Sequence, residues 1–171
     1  ADLTTHLRDT PQIVVAAVKG VAFGGGLSLA CAADVRIASA SARFCSAFIR
    51  TGLSGTDIGI SYLLPRLVGA SRAWDLIISG REIDGVEAER IGLVSQVVDD
   101  DDPLDAALAY ARGVASYTHT GLRLTKEALW HNLDAQSLDA AVALENRNQL
   151  LASAAPDVKE YMAGYAKRTT G

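Results

Sequence analysis

The stretch Lys19-Gly20-Val21-Ala22-Phe23-Gly24-Gly25-Gly26-Leu27-Ser28-Leu29-Ala30 decides how the chain is read. Ahead of it, Ile13-Val14-Val15-Ala16-Ala17-Val18 is apolar and rich in β-branched residues, the composition of a buried strand. Behind it, Leu27 to Ala33 carries small, helix-compatible residues. Glycines between a strand and a helix open backbone conformations closed to other residues, and they let a ligand approach the bare main chain. The first N–H groups of a helix have no acceptor within it and lie at the positive end of its dipole. Gly24 to Gly26 therefore offer donors to an oxygen that carries, or develops, negative charge. The plainer alternative for the glycines alone is a tight turn packed against a neighbouring element. Two nucleotide motifs do not match. A P-loop needs Lys-Ser or Lys-Thr after its last glycine, where Leu27-Ser28 stands, and the G-x-G-x-x-G spacing is absent near Gly24.

The rest of the chain narrows the classes. A length of 171 residues predicts one domain, and 49% hydrophobic residues suffice for a sizeable core. A net charge of −4 argues against nucleic acid or an anionic membrane as the main partner, while leaving room for a local basic pocket. Cys31 and Cys45 sit among apolar or small residues, which predicts two buried free thiols. No cationic leader precedes an apolar stretch and no apolar run has membrane-spanning length, so the expected setting is soluble and cytoplasmic. His6, His119 and His131 have no zinc-like spacing, and Ser54 does not sit in a G-x-S-x-G elbow.

Further on, Val35 to Ala38 and Ala42 to Cys45 predict short strands around a Ser39-Ala40-Ser41 turn, followed by a glycine-bearing loop over 47–62. Pro65 predicts a helix start that ends at Gly69, and Ser71 an N-cap for Arg72 to Ser79, with Gly80 just past the end. Asp84-Gly85-Val86-Glu87 has capping-box spacing for a helix that stops at Gly92. Leu93 to Val98 is a strand candidate. Asp99 to Asp102 reads as a solvated turn with Asp102 as N-cap to a helix opening at Pro103. Helices are expected over 103–116, 121–132, 137–153 and 157–167. The stripes Leu104, Leu108, Ala111 and Leu122, Ala128, Leu129 suit a core or an interface.

Taken together, Pro11, the strand to Val18, Lys19-Gly20, Gly24 to Gly26, the helix to Ala33 and Asp34-Val35-Arg36-Ile37-Ala38 resemble the crotonase (enoyl-CoA hydratase/isomerase) superfamily. Further matching parts are Ala42-Arg43-Phe44, Gly52-Leu53, Leu64-Pro65-Arg66-Leu67-Val68-Gly69, Gly80-Arg81, Ala88-Glu89-Arg90-Ile91-Gly92-Leu93-Val94 and Lys126-Glu127-Ala128. The resemblance implies an α/β fold: over 1–98 the C-terminal part of a crotonase-like β-β-α superhelix core, then over 99–171 a helical oligomerisation region of the same domain. It also implies a preceding segment, outside this chain, that supplies one oxyanion N–H and much of the CoA nucleotide site.

The implied substrate is an acyl-CoA thioester of fatty acid metabolism, with CoA as part of the substrate and neither cofactor nor metal. Trimers, often paired into hexamers, are the implied assembly. Gly25 is the implied oxyanion donor, with Ala22, Phe23, Gly24 and Phe48 around the substrate. Hydratases of the family use two glutamates, whose positions fall on Ser28 and Phe48. Ser28 cannot act as a base unaided near neutral pH, and Phe48 cannot transfer a proton. Asp57, in a context resembling the Asp-Val-Gly of dienoyl-CoA isomerases with one extra residue after Gly52, is the remaining candidate. Enclosed in an apolar pocket, its carboxyl would titrate above its ordinary range; the alternative is that it only caps the following turn. Ser54, Thr56 and Tyr62 are possible supporting donors, and Lys167-Arg168 resembles the family's Lys-Arg pair on the last helix, read first as a solvated helix end and second as a phosphate contact across a subunit boundary. The implied reaction is hydration of a 2-enoyl-CoA, with double-bond isomerisation as the runner-up. A non-catalytic acyl-CoA binder or assembly subunit is the alternative from another class.

Overall fold

The apolar run before Lys19 forms β1 (Val15–Val18), which pairs in parallel with β3 (Val35–Ser39), Val15 opposite Val35 and Val18 opposite Ala38. β6 (Gln96–Val98) adds in parallel to the other edge of β3. A second sheet has the order β2 (Val21–Phe23), β4 (Arg43–Cys45), β5 (Ile83–Asp84), with a parallel and then an antiparallel pair. Because parallel neighbours need a crossover, the chain passes from the first sheet to the second, through α2 (Gly25–Ala32), and back to the first. That repeated strand-strand-helix step is the expected β-β-α superhelix. These elements come from a computed structural model that describes residues 2–99 and 102–169, with side chains through Tyr165. Asp100 and Asp101 of the acidic run, and the Lys167-Arg168 side chains, lie outside what is described.

Two compact units form: Ala1–Thr10 with Val14–Ala111, and Pro11–Ile13 with Arg112–Gly171. The first unit holds both sheets, α1 (Asp2–Asp9), a 3-10 turn at Ala47–Thr51, α3 (Ile60–Val68), α4 (Ala70–Ser79) and α5 (Gly85–Arg90). Its core gathers Leu27, Cys31, Phe44, Ile60, Leu64 and Leu93, each at most 2% exposed. Small residues dominate α2, which packs against α1, α3 and β2. Arg36 is buried beside it and donates to three carbonyls: Leu93 from Nε at 2.7 Å, and Ala33 and Ala30 from Nη1 at 2.6 and 3.2 Å. Burial lowers this guanidinium from its ordinary value, with Cys31 and Asp34 opposing the shift. Burial likewise pushes the Cys31 thiol up to about 12 against the lowering effect of Arg36. Both cysteines are free and buried.

Several boundaries differ from those expected. Val21 to Phe23, read as part of a connection, is a strand because it finds a parallel partner in β4. Pro65 lies inside α3 rather than opening it; the helix starts at Ile60, after Gly59 in a left-handed conformation. α4 is preceded by Gly69, with no side-chain cap, so Ser71 is helical rather than an N-cap. Gly80 does end that helix at φ 60°. Asp84 caps α5, accepting from the Glu87 N–H at 2.7 Å, whereas the Glu87 carboxylate bonds Arg81 instead of closing the box. β6 is shorter than the run from Leu93, since Leu93 and Val94 turn into the core.

Of α6 (Pro103–Val114), the part through Ala111 belongs to the first unit, and Asp102 accepts from the Leu104 N–H at 3.1 Å. In the second unit α7 (His119–Asn132), α8 (Leu138–Ala154) and α9 (Pro156–Thr169) pack on one another. Thr118 and Ser137 cap the first two. Buried Lys126 donates to the Gln12 carbonyl at 2.9 Å, and buried Asn148 to the Leu124 carbonyl at 3.0 Å. Asp157 accepts from the Thr120 N–H, which holds its carboxyl below the ordinary range. The expected apolar stripes divide: Leu104, Leu108 and Leu129 are exposed, and Ala111, Leu122 and Ala128 are half-buried. Among the described residues, no helix is long and apolar enough to cross a membrane.

Arg36→Ala should lower the unfolding free energy by about 3 kcal/mol, since buried carbonyls lose their donor. Arg36→Lys should recover only part of it, read from urea midpoints. The raised Cys31 value stabilises the fold fully below pH 9, the thiol's ordinary value, and the benefit is lost as pH climbs from 9 towards about 12. The urea midpoint should therefore fall across that interval more steeply than in Cys31→Ala.

Candidate active site at the start of α2

Gly24 sets the turn from β2 into α2. Its φ of 51° and ψ of −114° suit glycine, and its N–H donates to the Cys45 carbonyl at the end of β4, 2.9 Å away. Gly25 opens the helix one residue later. Among the described residues no main-chain carbonyl accepts its N–H, as the first turn of a helix dictates. Gly24 is buried, Gly25 half-buried and Gly26 exposed. Ala22 is buried and Phe23 half-buried in β2, leading into the turn.

Apolar side chains flank the two glycines. A Cβ on Gly24 would lie 3.5 Å from Cε1 of Phe48, and a Cβ on Gly25 would lie 3.2 Å from Cδ1 of Ile58. Carbon beside a bare N–H lowers the local dielectric and strengthens any hydrogen bond that N–H makes. Ser28, one helical turn after Gly24, is fully buried. Its Oγ lies 3.3 Å from the Asp57 carbonyl oxygen and 3.4 Å from that of Gly24. The hydroxyl thus tethers the 57–58 segment to α2.

Asp57 is exposed, and its Oδ1 accepts from the Ile58 N–H at 2.8 Å. The apolar enclosure expected around this carboxyl does not form, because the loop carries it at the surface of the first unit. The carboxylate makes the turn-capping contact, and it is the next residue, Ile58, whose side chain reaches Gly25. Ser54 and Thr56 pair with each other through hydroxyls 2.9 Å apart, and the Tyr62 ring stacks with Arg66 and Arg8. An apolar cavity of about 320 Å³ lies beyond Thr56, walled by Ile49, Pro65, Trp74, Ile77 and Ile78. His131 is engaged with the Glu127 carbonyl of its own helix. Among the described residues no cluster of His, Cys, Asp or Glu could hold a metal ion.

Ile58 was not legible in the sequence as a site residue. It has φ 52°, the sole non-glycine residue with positive φ among those described. Its one sequence signal is a β-branched residue wedged between Asp57 and Gly59 in a glycine-bearing loop.

A family model described as enoyl-CoA hydratase/isomerase matches residues 1–170. A probable enoyl-CoA hydratase of Mycobacterium tuberculosis is 50% identical over 149 residues, which cover 87% of this chain and 52% of that protein. The 1,2-epoxyphenylacetyl-CoA isomerase of Escherichia coli is 38% identical over 168 residues, 98% of this chain and 63% of that one. Among solved structures, a probable enoyl-CoA hydratase/isomerase from Mycobacterium abscessus superposes with a TM-score of 0.91 at 42% identity, covering 98% of this chain and 65% of the other. The chain spans about half the length of the first curated relatives it matches.

Proposed function

The chain belongs to the enoyl-CoA hydratase/isomerase family, and from that premise we propose that it acts on acyl-CoA thioesters, with the thioester carbonyl held at Gly25. The observation that carries this reading is the Gly25 N–H, which has no main-chain acceptor among the described residues while the neighbouring Gly24 N–H is tied to Cys45. A carbonyl oxygen at that N–H gains charge as an enolate forms, and a preset donor stabilises the developing charge more than the ground state. The resemblance expects a second donor from a preceding segment; Gly25 supplies one.

Hydration of a 2-enoyl-CoA is the first reading. Water adds at C3, the Asp57 carboxylate takes its proton, and the same proton is delivered to the enolate at C2. Ser28 fixes the main chain of Asp57 rather than moving a proton. Double-bond isomerisation is the second reading, since a single carboxylate suffices to carry one proton between two carbons. There Asp57 removes a proton at C2 of a 3-enoyl-CoA and returns it at C4. Neither reaction draws on a cofactor beyond the CoA of the substrate. We place the protein in the cytoplasm as a homotrimer or hexamer, its exposed helical stripes suited to contacts between copies. Nucleic acid and membrane have no part in this reading.

Assays of the intact protein with 2-enoyl-, 3-enoyl- and dienoyl-CoA test it. Gly25→Pro removes the N–H at a helix position where proline is tolerated, so kcat/KM should fall about 10²–10³-fold with the far-ultraviolet dichroism retained. Asp57→Asn should abolish turnover while acyl-CoA affinity stays nearly unchanged; full activity in that variant would end its acid/base role. Acyl-CoA binding with no turnover of any of the three substrates would replace the enzyme by a binder.

A further inference from the structure

Ile58 combines two features that ordinary packing does not explain. It is a β-branched residue held at φ 52°, in the left-handed region that such residues avoid. Glycines at 55 and 59 stand close by, so the loop had glycine at hand for a left-handed turn. The strain is not offset by the core. Ile58 is half-buried and is not among the partly buried side chains that, among the described residues, pack against the main cluster. Its Cδ1 instead rests 3.2 Å from the point where Gly25 would carry a Cβ. Strain retained without a packing return belongs to sites where a side chain must stand in one place.

We infer that Ile58 is a specificity-determining residue: with Phe48 it forms the walls of a narrow slot at Gly24-Gly25 that admits a flat acyl group and excludes one branched at C2. This rests on the reading that a thioester carbonyl sits at Gly25. From a carbonyl oxygen bonded to that N–H, the acyl C2 lies only two bonds away, within ~5 Å of the Gly25 nitrogen. Cδ1 of Ile58 stands beside the same residue, and the Phe48 ring stands 3.5 Å from the corresponding point on Gly24. An enoyl thioester is planar through C1, C2 and C3, so a linear one fits between two apolar walls. A methyl group on C2 widens that plane towards Ile58. The Ile58 N–H bond to the Asp57 carboxylate and the Ser28 tether on the Asp57 carbonyl hold the wall in register with the candidate proton carrier. Ile58 itself takes no part in proton transfer.

The test compares but-2-enoyl-CoA with 2-methylbut-2-enoyl-CoA on the intact protein, as a ratio of kcat/KM values in wild type, Ile58→Val and Ile58→Gly. One methyl group in a close-fitting apolar site discriminates by ~10–200-fold, so the wild type should favour the linear substrate by at least tenfold. Ile58→Val removes Cδ1 but keeps the strained backbone; the ratio should drop several-fold with Tm little changed. Ile58→Gly removes wall and strain together; the ratio should approach unity and Tm should rise by a few degrees. A ratio that stays at its wild-type value in both variants overturns the proposal, and a lower Tm in Ile58→Gly overturns the claim of strain. The dissociation constants of butanoyl-CoA and 2-methylbutanoyl-CoA separate this from the catalytic reading. If the protein binds both without turning over any enoyl-CoA, the reaction assigned above fails, and the ratio of the two constants across the variants still decides the role of Ile58. If it binds no acyl-CoA, both fall.

Discussion

The hydrogen bond from Gly24 N–H to the Cys45 carbonyl is the constraint on which the rest of the site depends. It exists because β2 and β4 pair in parallel with Phe23 opposite Cys45, which brings the end of one strand to the turn that leaves the other. The bond consumes the Gly24 donor inside the fold and leaves the next donor, on Gly25, without a main-chain acceptor among the described residues. Arg36 holds the opposite end of α2, where Ala30 and Ala33 present carbonyls at the negative end of the helix dipole. One end of the helix is therefore pinned by the second sheet and the other by a side chain from the first. A helix gripped at both ends makes its first amide a fixed feature of the site, the preorganisation on which electrostatic stabilisation relies.

Around that amide the residues divide between apolar and polar work. Phe48 and Ile58 crowd the glycines with carbon, while Ser28 ties the main chain of Asp57 back to the helix. The strained backbone at Ile58 opposes stability, whereas the core of the same unit is built from small and aliphatic residues around Phe44, none of them a non-glycine residue at positive φ. Rigid surroundings make such a local cost tolerable.

The second unit follows a different economy. Two of its helices are begun by Thr118 and Ser137; Asn148 joins α8 to α7 at the Leu124 carbonyl, and Lys126 ties α7 to Gln12 in the segment before β1. Leu138, Leu150 and Met162 remain exposed at 79%, 73% and 63%.

Local chemistry was legible along the chain. The glycine run, the caps at Asp84 and Asp102, the Gly80 stop and the two free thiols follow from properties of a few adjacent residues. The same held for the family pattern around Gly24 to Gly26, because a glycine-dependent turn restricts which residues can stand there. What depended on distant partners was not legible. Val21 to Phe23 is a strand only because Arg43 to Cys45 lies alongside it, and Pro65 sits within a helix because α3 is supported by the packing of Ile60, Leu63 and Leu64. The exposure of Asp57 and the left-handed Ile58 leaning on Gly25 likewise belong to the folded chain. By itself, then, the sequence determined which backbone could come bare to a ligand, since only glycine permits it. Tertiary structure decided which amide was left unbonded and which side chains close over it, since both are set by residues brought together across 20 to 35 positions of chain.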